Sequence, residues 1–310
     1  MEATLQPALS LLVVHWYAEE DLARLLAAVP ADPRFEVVVV DNGAGRPLPA
    51  RPGMLLVRAA SNLGFGGGAN LAATLASAPL LLLLNPDACP QAGALDALLA
   101  GFAALPEAAG LAPRLVGDDG ASQAAWQLRD LPRPGQLLLH TLFRDATRGR
   151  DEEPPAGAAL QQPAAAALAL RRAVWERLGG FDPTFHPAWF EDVDLARRLA
   201  AAGETLRYWP PATFRHRLGG SVAPLGYARF LWCYSRNLCR YLAKHHGRGW
   251  AAAARLLLVV GALLRTAALP LRRPRRASSR ASAAVALAGT GIGALTAWRR
   301  PRRLAHEEGT

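Results

Sequence analysis

Residues 80–90, LLLLLNPDACP, set five consecutive leucines directly against Asn85, Pro86 and Asp87. A strand this apolar is buried on both faces, as in a parallel sheet whose helices cover both sides. Ligands of open α/β sheets bind in the crevice at the carboxyl ends of the strands, which is where Asp87 stands.

Working outward, three more β-type runs precede this one, at 9–14, 35–40 and 54–57, and the stretches between several of them have helical spacing. Asp21 is placed to cap a helix through Leu22, Leu25, Leu26 and Val29, and a short second helix is expected over 70–78. Strands alternating with helices predict βαβ units and a mostly parallel sheet, an α/β fold. From 117 to 163 the texture is irregular, with Pro132, Pro134, Pro154 and Pro155, and loops over the sheet are expected. A further helical unit is read at 189–202, and a basic Ala/Leu-rich part begins near 225. The expected division is an α/β domain over 1–224 and a basic helical region over 225–310. No internal repeat is present.

At 310 residues, 51% hydrophobic and 19% charged, the chain buries a sizeable core and is not of the disordered class. Its three cysteines, Cys89, Cys233 and Cys239, have no C-x-x-C spacing, so neither a disulfide framework nor a thiolate zinc site is expected, and a reducing, cytoplasmic setting fits. The apolar run at 9–14 is too short, and Glu2 too acidic a flank, for a secretory signal. Charge is uneven. Residues 1–204 hold 16 arginines against 23 acids, whereas residues 205–306 hold 19 basic residues and no acid. Such a tail suits a polyanion, whether nucleic acid, acidic lipid or a phosphorylated substrate. The plainer reading, that arginine is simply this chain's preferred cation, accounts for its single lysine but not for the missing acids.

Three motifs carry the candidate chemistry. NLGFGGGAN (62–70) holds Gly64, Gly66 and Ala69 in G-x-G-x-x-A order, with Asp87 about twenty residues on, a dinucleotide-type pattern. It does not directly follow its strand, however, and a glycine turn before a helix reads the same. VVVVDNGAG (37–45) ends a second buried strand on Asp41 and Asn42, which with Asp87 on the same sheet edge point to a nucleotide pocket. WFEDVDLARRLAAAG (189–203) stacks Glu191, Asp192 and Asp194 at a helix start and Arg197 and Arg198 later, as helix electrostatics favour. The aromatic surround FDPTFHPAWFED also fits a carboxylate held beside a sugar, its basicity tuned by partial desolvation.

In order, VVVVDNGAG, NLGFGGGAN, LLNPDACP, LRRAVWERLGGFDPTF, WFEDVDLARRL and FRHRLGGS resemble family 2 glycosyltransferases of the rhamnosyltransferase-like branch, over about residues 8–245. The resemblance implies a GT-A nucleotide-diphospho-sugar transferase fold and transfer with inversion. It implies that Asp41, with Asn42 beside it, reads the nucleobase and that Asn62, Gly64 and Asn70 help hold the nucleotide sugar. It further implies that Asp87 binds a divalent metal, Mg or Mn, that Asp192 of the Glu191–Asp192 pair is the catalytic base, and that His216 contacts the metal or diphosphate. Asn85 stands where many relatives carry the first Asp of Asp-x-Asp, leaving one firm carboxylate ligand.

The donor expected from the resemblance is dTDP-rhamnose, with a UDP-sugar open, because Asp41 can accept from the ring N–H of either base. The expected acceptor is a lipid-linked glycan in cell-surface polysaccharide synthesis, at an anionic membrane surface on the cytoplasmic side, with no nucleic acid partner. The reading from another class is a non-catalytic polysaccharide-assembly or polyanion-binding protein that works through its tail. Residues 250–271 are apolar but broken by Arg255 and Arg265. Residues 281–298 are an uncharged run of 18 between arginine clusters, dominated by small residues, so packed or interfacial helices are expected over a span.

Overall fold

A computed structural model describes residues 6–43, 47–142, 149, 152–217, 225–271, 274 and 277–298. In chain order the elements are β1 (Leu9–His15), α1 (Glu19–Ala28), β2 (Phe35–Asp41), β3 (Met54–Arg58), α2 (Gly64–Leu75) and β4 (Leu80–Leu84). There follow β5 (Ala88–Pro90), α3 (Ala94–Ala104), β6 (Gly110–Val116), α4 (Ala124–Gln127), β7 (Leu128–Arg129) and α5 (Pro134–Leu142). Next come β8 (Ala159–Leu160), β9 (Gln162–Pro163), β10 (Ala167–Arg171), α6 (Arg172–Leu178), α7 (Glu191–Ala201) and β11 (Leu206–His216). Three long helices close the described chain: α8 (Gly226–His245), α9 (Arg248–Ala267) and α10 (Arg280–Leu295).

The described residues fall into two compact units. The first draws on Met1–Leu131, Arg148–Thr184 and Glu191–Ser221, and the second on Pro132–Thr147, Phe185–Phe190 and Val222–Thr310. The second unit thus takes in two segments that precede residue 225.

The first unit is built on a nine-stranded sheet of order β3-β2-β1-β4-β10-β6-β11-β5, with β8 beside β11. β3, β2, β1 and β4 run parallel, β10 is antiparallel to both its neighbours, and β11 again runs parallel to β6. The leucines of β4 explain themselves here. Leu82 and Leu84 pack with Leu22, Leu25, Leu98 and Phe102 of α1 and α3, while Leu81 and Leu83 pack with Ala69, Ala72, Trp175, Leu195 and Leu199 of α2, α6 and α7. Each such burial contributes about 1.5–3 kcal/mol, so the strand is anchored from both sides and its end is rigid.

Several local expectations change. α1 starts on Ala18, not Asp21. Glu19, Glu20 and Asp21 form its first turn, where acidic charge suits the dipole, and the Ala18 N–H donates to His15 Nε2 at 3.1 Å. α2 begins at Gly64, six residues before the expected start, so its glycines are helical and serve packing. A Cβ on Gly68 would lie 2.8 Å from Val14 Cγ1, and one on Gly66 3.1 Å from Phe181 Cβ. The helix therefore lies against β1 and the Phe181 turn at a separation that side chains would prevent. The stretch 117–163 carries α4, α5 and the two-stranded ribbon of β7 and β9 as well as loops.

In the second unit, buried Asn237 of α8 donates to the carbonyls of Phe185 and Ala188, both at 2.9 Å, and Phe190 packs on Tyr241. Arg255 donates to Ala294 O and Arg265 to Thr141 O, so the two arginines that interrupt the apolar run tie α9 to α10 and α5. Among the described residues α9 alone is long and apolar enough, by length and composition, to cross a membrane, with a mean hydropathy of 1.5. α10, read from the uncharged run 281–298, has only 16 residues, fewer than the roughly 20 a span needs. Leu256, Leu263 and Leu264 of α9 and Val285, Ile292 and Leu295 of α10 are exposed.

Candidate functional site

β4 delivers Asp87 to the carboxyl edge of the sheet, in a turn closed by Ala88 N–H to Asn85 O at 3.0 Å. Asn85 is held through its own N–H to Ala166 O at 2.9 Å. β5 pairs antiparallel with β11, aligning Ala88 with His216 and so bringing His216 to Asp87. Both side chains are buried, with His216 Nε2 3.6 Å from Asp87 Oδ1. Gln123 grips the imidazole residue twice: its Nε2 donates to His216 O at 2.8 Å, and its Oε1 lies 2.8 Å from Nδ1. The Trp126 ring lies against the imidazole, centroids 5.0 Å apart. Burial lowers the His216 pKa to about 4, so the ring is neutral at physiological pH.

Asp87 and His216 are side chains that could hold a divalent cation, the carboxylate oxygen suiting Mg or Mn. Among the described residues no third His, Cys, Asp or Glu completes a metal-binding group, which leaves coordination positions for substrate oxygens and water. A cleft of about 540 Å³ opens at Asp87, lined also by Asp21, Arg24, Cys89, Asp118, Arg215 and Arg217. Its three arginines stand against three carboxylates, with Arg24 and Arg217 ion-paired to Asp21 and Arg217 also 3.7 Å from Asp118.

At the neighbouring strand ends β1 and β2 pair in register, His15 opposite Asp41. His15 Nε2 accepts from Ala18, so Nδ1 carries the hydrogen and donates to buried Asp41 Oδ1 at 3.1 Å, with Arg58 Nε 3.6 Å from Oδ2. Asn42 accepts from Leu63 N–H and donates to Gly64 O, each at 3.1 Å, while Asn62 Oδ1 accepts from Gly64 N–H at 2.8 Å. These bonds shape the entry to α2, where Gly64 takes a φ of +71°. Asn70 reaches elsewhere. Its amide donates to Phe181 O at 2.8 Å and accepts Phe181 N–H at 2.9 Å, pinning the turn before α7.

At the start of α7 two adjacent acids have opposite surroundings. Glu191 is buried, and its Oε2 has no hydrogen-bond partner among the described residues. Burial first, and the charge of Asp192 second, raise its pKa well above the ordinary carboxylate range. Asp192 is partly exposed. Its Oδ1 accepts from Val193 N–H at 2.8 Å, and its Oδ2 meets Gln162 Nε2 at 3.3 Å and Arg129 Nη2 at 3.7 Å. Arg129 and Gln162 face each other across the β7–β9 ribbon.

Of the residues expected from the sequence, Asp87 lies beside His216, Asp41 beside His15, and Asp192 at the start of α7; the sequence reading passed over the residues that contact them, namely His15, Gln123, Trp126, Arg129 and Gln162. Gln123 and Arg129 are six residues apart, on a segment that serves His216 at one end and Asp192 at the other. A lone Gln or Arg in a proline-broken stretch gives no periodic signal.

The chain matches no protein-family profile. It is 29% identical over 282 residues, 82% of its length, to N-acetylglucosaminyl-diphospho-decaprenol L-rhamnosyltransferase of Mycobacterium tuberculosis, covering 91% of that protein. Among solved structures it is similar to mannosyltransferase PcManGT from Pyrobaculum calidifontis in complex with GDP-Man and Mn2+, with TM-score 0.52 and 19% identity, covering 94% of this chain and 88% of that one. It is likewise similar to S. aureus TarS 1-349 in complex with UDP-GlcNAc, with TM-score 0.52 and 15% identity over 93% of this chain and 81% of that one. At these identities the structural likenesses establish the fold.

Proposed function

We propose, from the premise that this chain is a glycosyltransferase of the family 2 type with the GT-A fold, that it moves a sugar, rhamnose foremost, from a nucleotide-diphosphate donor to a hydroxyl of a lipid-linked glycan, with inversion. The observation that carries this reading is the site's division. A buried carboxylate–imidazole pair stands at the end of β4, and a carboxylate held by Gln162 and Arg129 stands at the start of α7.

Asp192 takes the proton of the acceptor hydroxyl as its oxygen bonds to the anomeric carbon from the face opposite the diphosphate. The bond from that carbon to the diphosphate breaks, and the nucleoside diphosphate leaves with the electron pair. General-base assistance of this kind supplies about 10²- to 10⁴-fold. Asp87 and His216 would hold the divalent metal, whose chemistry is Lewis-acid stabilisation of the charge gathering on the departing phosphate. Asp41, hydrogen-bonded to His15, is assigned to the nucleobase end, with Asn42, Asn62, Gly64, Asn70 and Asn85 shaping the donor pocket. Glu191 is buried beside Asp192 with its pKa raised above the ordinary range. The mycobacterial relative is named for transfer of L-rhamnose to a diphospho-decaprenol-linked sugar, which favours dTDP-rhamnose and a polyprenyl-diphosphate acceptor here.

Such an acceptor lies in a membrane. The exposed leucines of α9 and the absence of any acid over residues 205–306 favour peripheral attachment to anionic lipid on the cytoplasmic face. Incubating the purified chain with Mn2+ and dTDP-, UDP- and GDP-sugars, and following released nucleoside diphosphate, tests the reading. Turnover with a dTDP- or UDP-sugar is expected, and neither turnover nor binding of any donor would overturn it. Membrane fractions that release the chain in high salt support peripheral attachment; a chain wholly soluble at low salt removes that part.

A further inference from the structure

We propose that Gln123 is a positioning residue that fixes the tautomer of His216 and so makes the Asp87–His216 pair a divalent-cation site, an inference that rests on the metal-assisted reading above. Gln123 makes two hydrogen bonds to one residue, and together they remove the ambiguity of both groups. A carbonyl only accepts, so the end of the amide that meets His216 O at 2.8 Å is the NH2. The other end, 2.8 Å from Nδ1, is therefore the oxygen. An amide oxygen only accepts as well, so Nδ1 carries the hydrogen. A neutral imidazole has one N–H, and Nε2 is left with a lone pair directed at Asp87.

The contact that results is 3.6 Å between two electron-pair donors. This is too long for a hydrogen bond, and both atoms are of the kind that would hold one cation between them. Gln123 is itself immobilised. It is buried, its N–H donates to Leu115 O at 2.9 Å, and its own carbonyl accepts from Gln127 N–H at 2.8 Å. Trp126, one turn on, covers a face of the same imidazole. The ring is thus fixed at its Nδ1 edge and across one face, and only Nε2 is turned toward the carboxylate. Partners of a ligand histidine in this position commonly govern metal affinity by 10–100-fold.

Two readouts on the full chain test this. Nitrogen-15 NMR of the metal-free protein should show His216 protonated on Nδ1 in the wild type and shifted away from that tautomer in Gln123→Ala. Mn2+ titration followed by electron paramagnetic resonance should show affinity about 10–100-fold weaker in Gln123→Ala. If the alanine variant does not fold, Gln123→Asn, which withdraws the amide by one methylene, should show the same loss. A wild-type His216 protonated on Nε2, or Mn2+ affinity unchanged in a folded Gln123→Ala or Gln123→Asn, would overturn the proposal. So would a wild type that binds no Mn2+. Donor turnover by the wild type is scored separately, so that the glycosyltransferase reading survives or falls on its own result.

Discussion

The two carboxylates that define the site, Asp87 and Asp192, sit at the ends of regular elements yet in opposite company. Asp87 faces an imidazole kept neutral by burial and held at its Nδ1 by Gln123. Asp192 has a guanidinium at 3.7 Å, an amide at 3.3 Å and the Val193 N–H at 2.8 Å. The difference teaches a division of labour. In the proposed reading, one end of the sheet receives the cation and the diphosphate, and the start of α7 presents the base to the acceptor. Glu191 sharpens the contrast, since one residue away from Asp192 a second carboxyl is buried and its pKa raised well above the ordinary glutamate range.

The largest expected effect tests the acceptor side. Asp192→Asn removes the base while keeping its shape, and kcat should fall about 10²- to 10⁴-fold in a steady-state assay of nucleoside diphosphate release with acceptor present. Near-normal turnover would dissolve the distinction between the two carboxylates.

The next concerns the metal side and stability. His216 titrates at about 4 when folded against an ordinary value of 6.5. Between those values the unfolded chain holds a proton that the folded one does not, so stability rises with pH through this window and levels off above it. The increment is about 3 kcal/mol. Urea unfolding of metal-free protein at pH 4 and pH 7 should show wild type gaining that much more than His216→Asn. Equal gains would mean that His216 is not buried neutral.

Smaller still, Glu191→Gln should leave the fold intact and tell the adjacent acids apart. With its folded pKa raised, Glu191 binds a proton that the unfolded chain has released, so it favours the folded state least as pH climbs above the ordinary glutamate range. The amide variant should therefore match wild type near pH 4.5 and exceed it at pH 8 by thermal melting. A variant less stable at pH 8 would show that Glu191 is ionised in place.

What the sequence made legible follows the range of the forces involved. The leucines of β4 declare a strand buried on both sides, and Asp87 behind them declares a strand end, because burial and chain direction are local properties. The glycines of α2 read as a turn because glycine is a poor helix former. Only the closeness of Val14 and Phe181, which lie elsewhere in the chain, makes helix the better state. Gln123 meets His216 across 93 residues, and Gln162 meets Asp192 across 30. No window of sequence holds both partners, so Gln123 and Gln162 stayed hidden while the motif residues they contact stood out. Arg255 and Arg265 misled in the same way, reading as breaks in an apolar run although their guanidinium groups tie α9 to α10 and α5 through backbone carbonyls.

The most direct test of the division between the two carboxylates is a pair of donor-binding titrations by calorimetry, with dTDP-rhamnose and Mn2+, on Asp87→Ala and Asp192→Asn. Asp87→Ala should lose the Mn2+-dependent part of donor binding, and Asp192→Asn should bind donor and Mn2+ as the wild type does while failing to turn over. Full Mn2+-dependent binding in Asp87→Ala, or its loss in Asp192→Asn, would contradict the account.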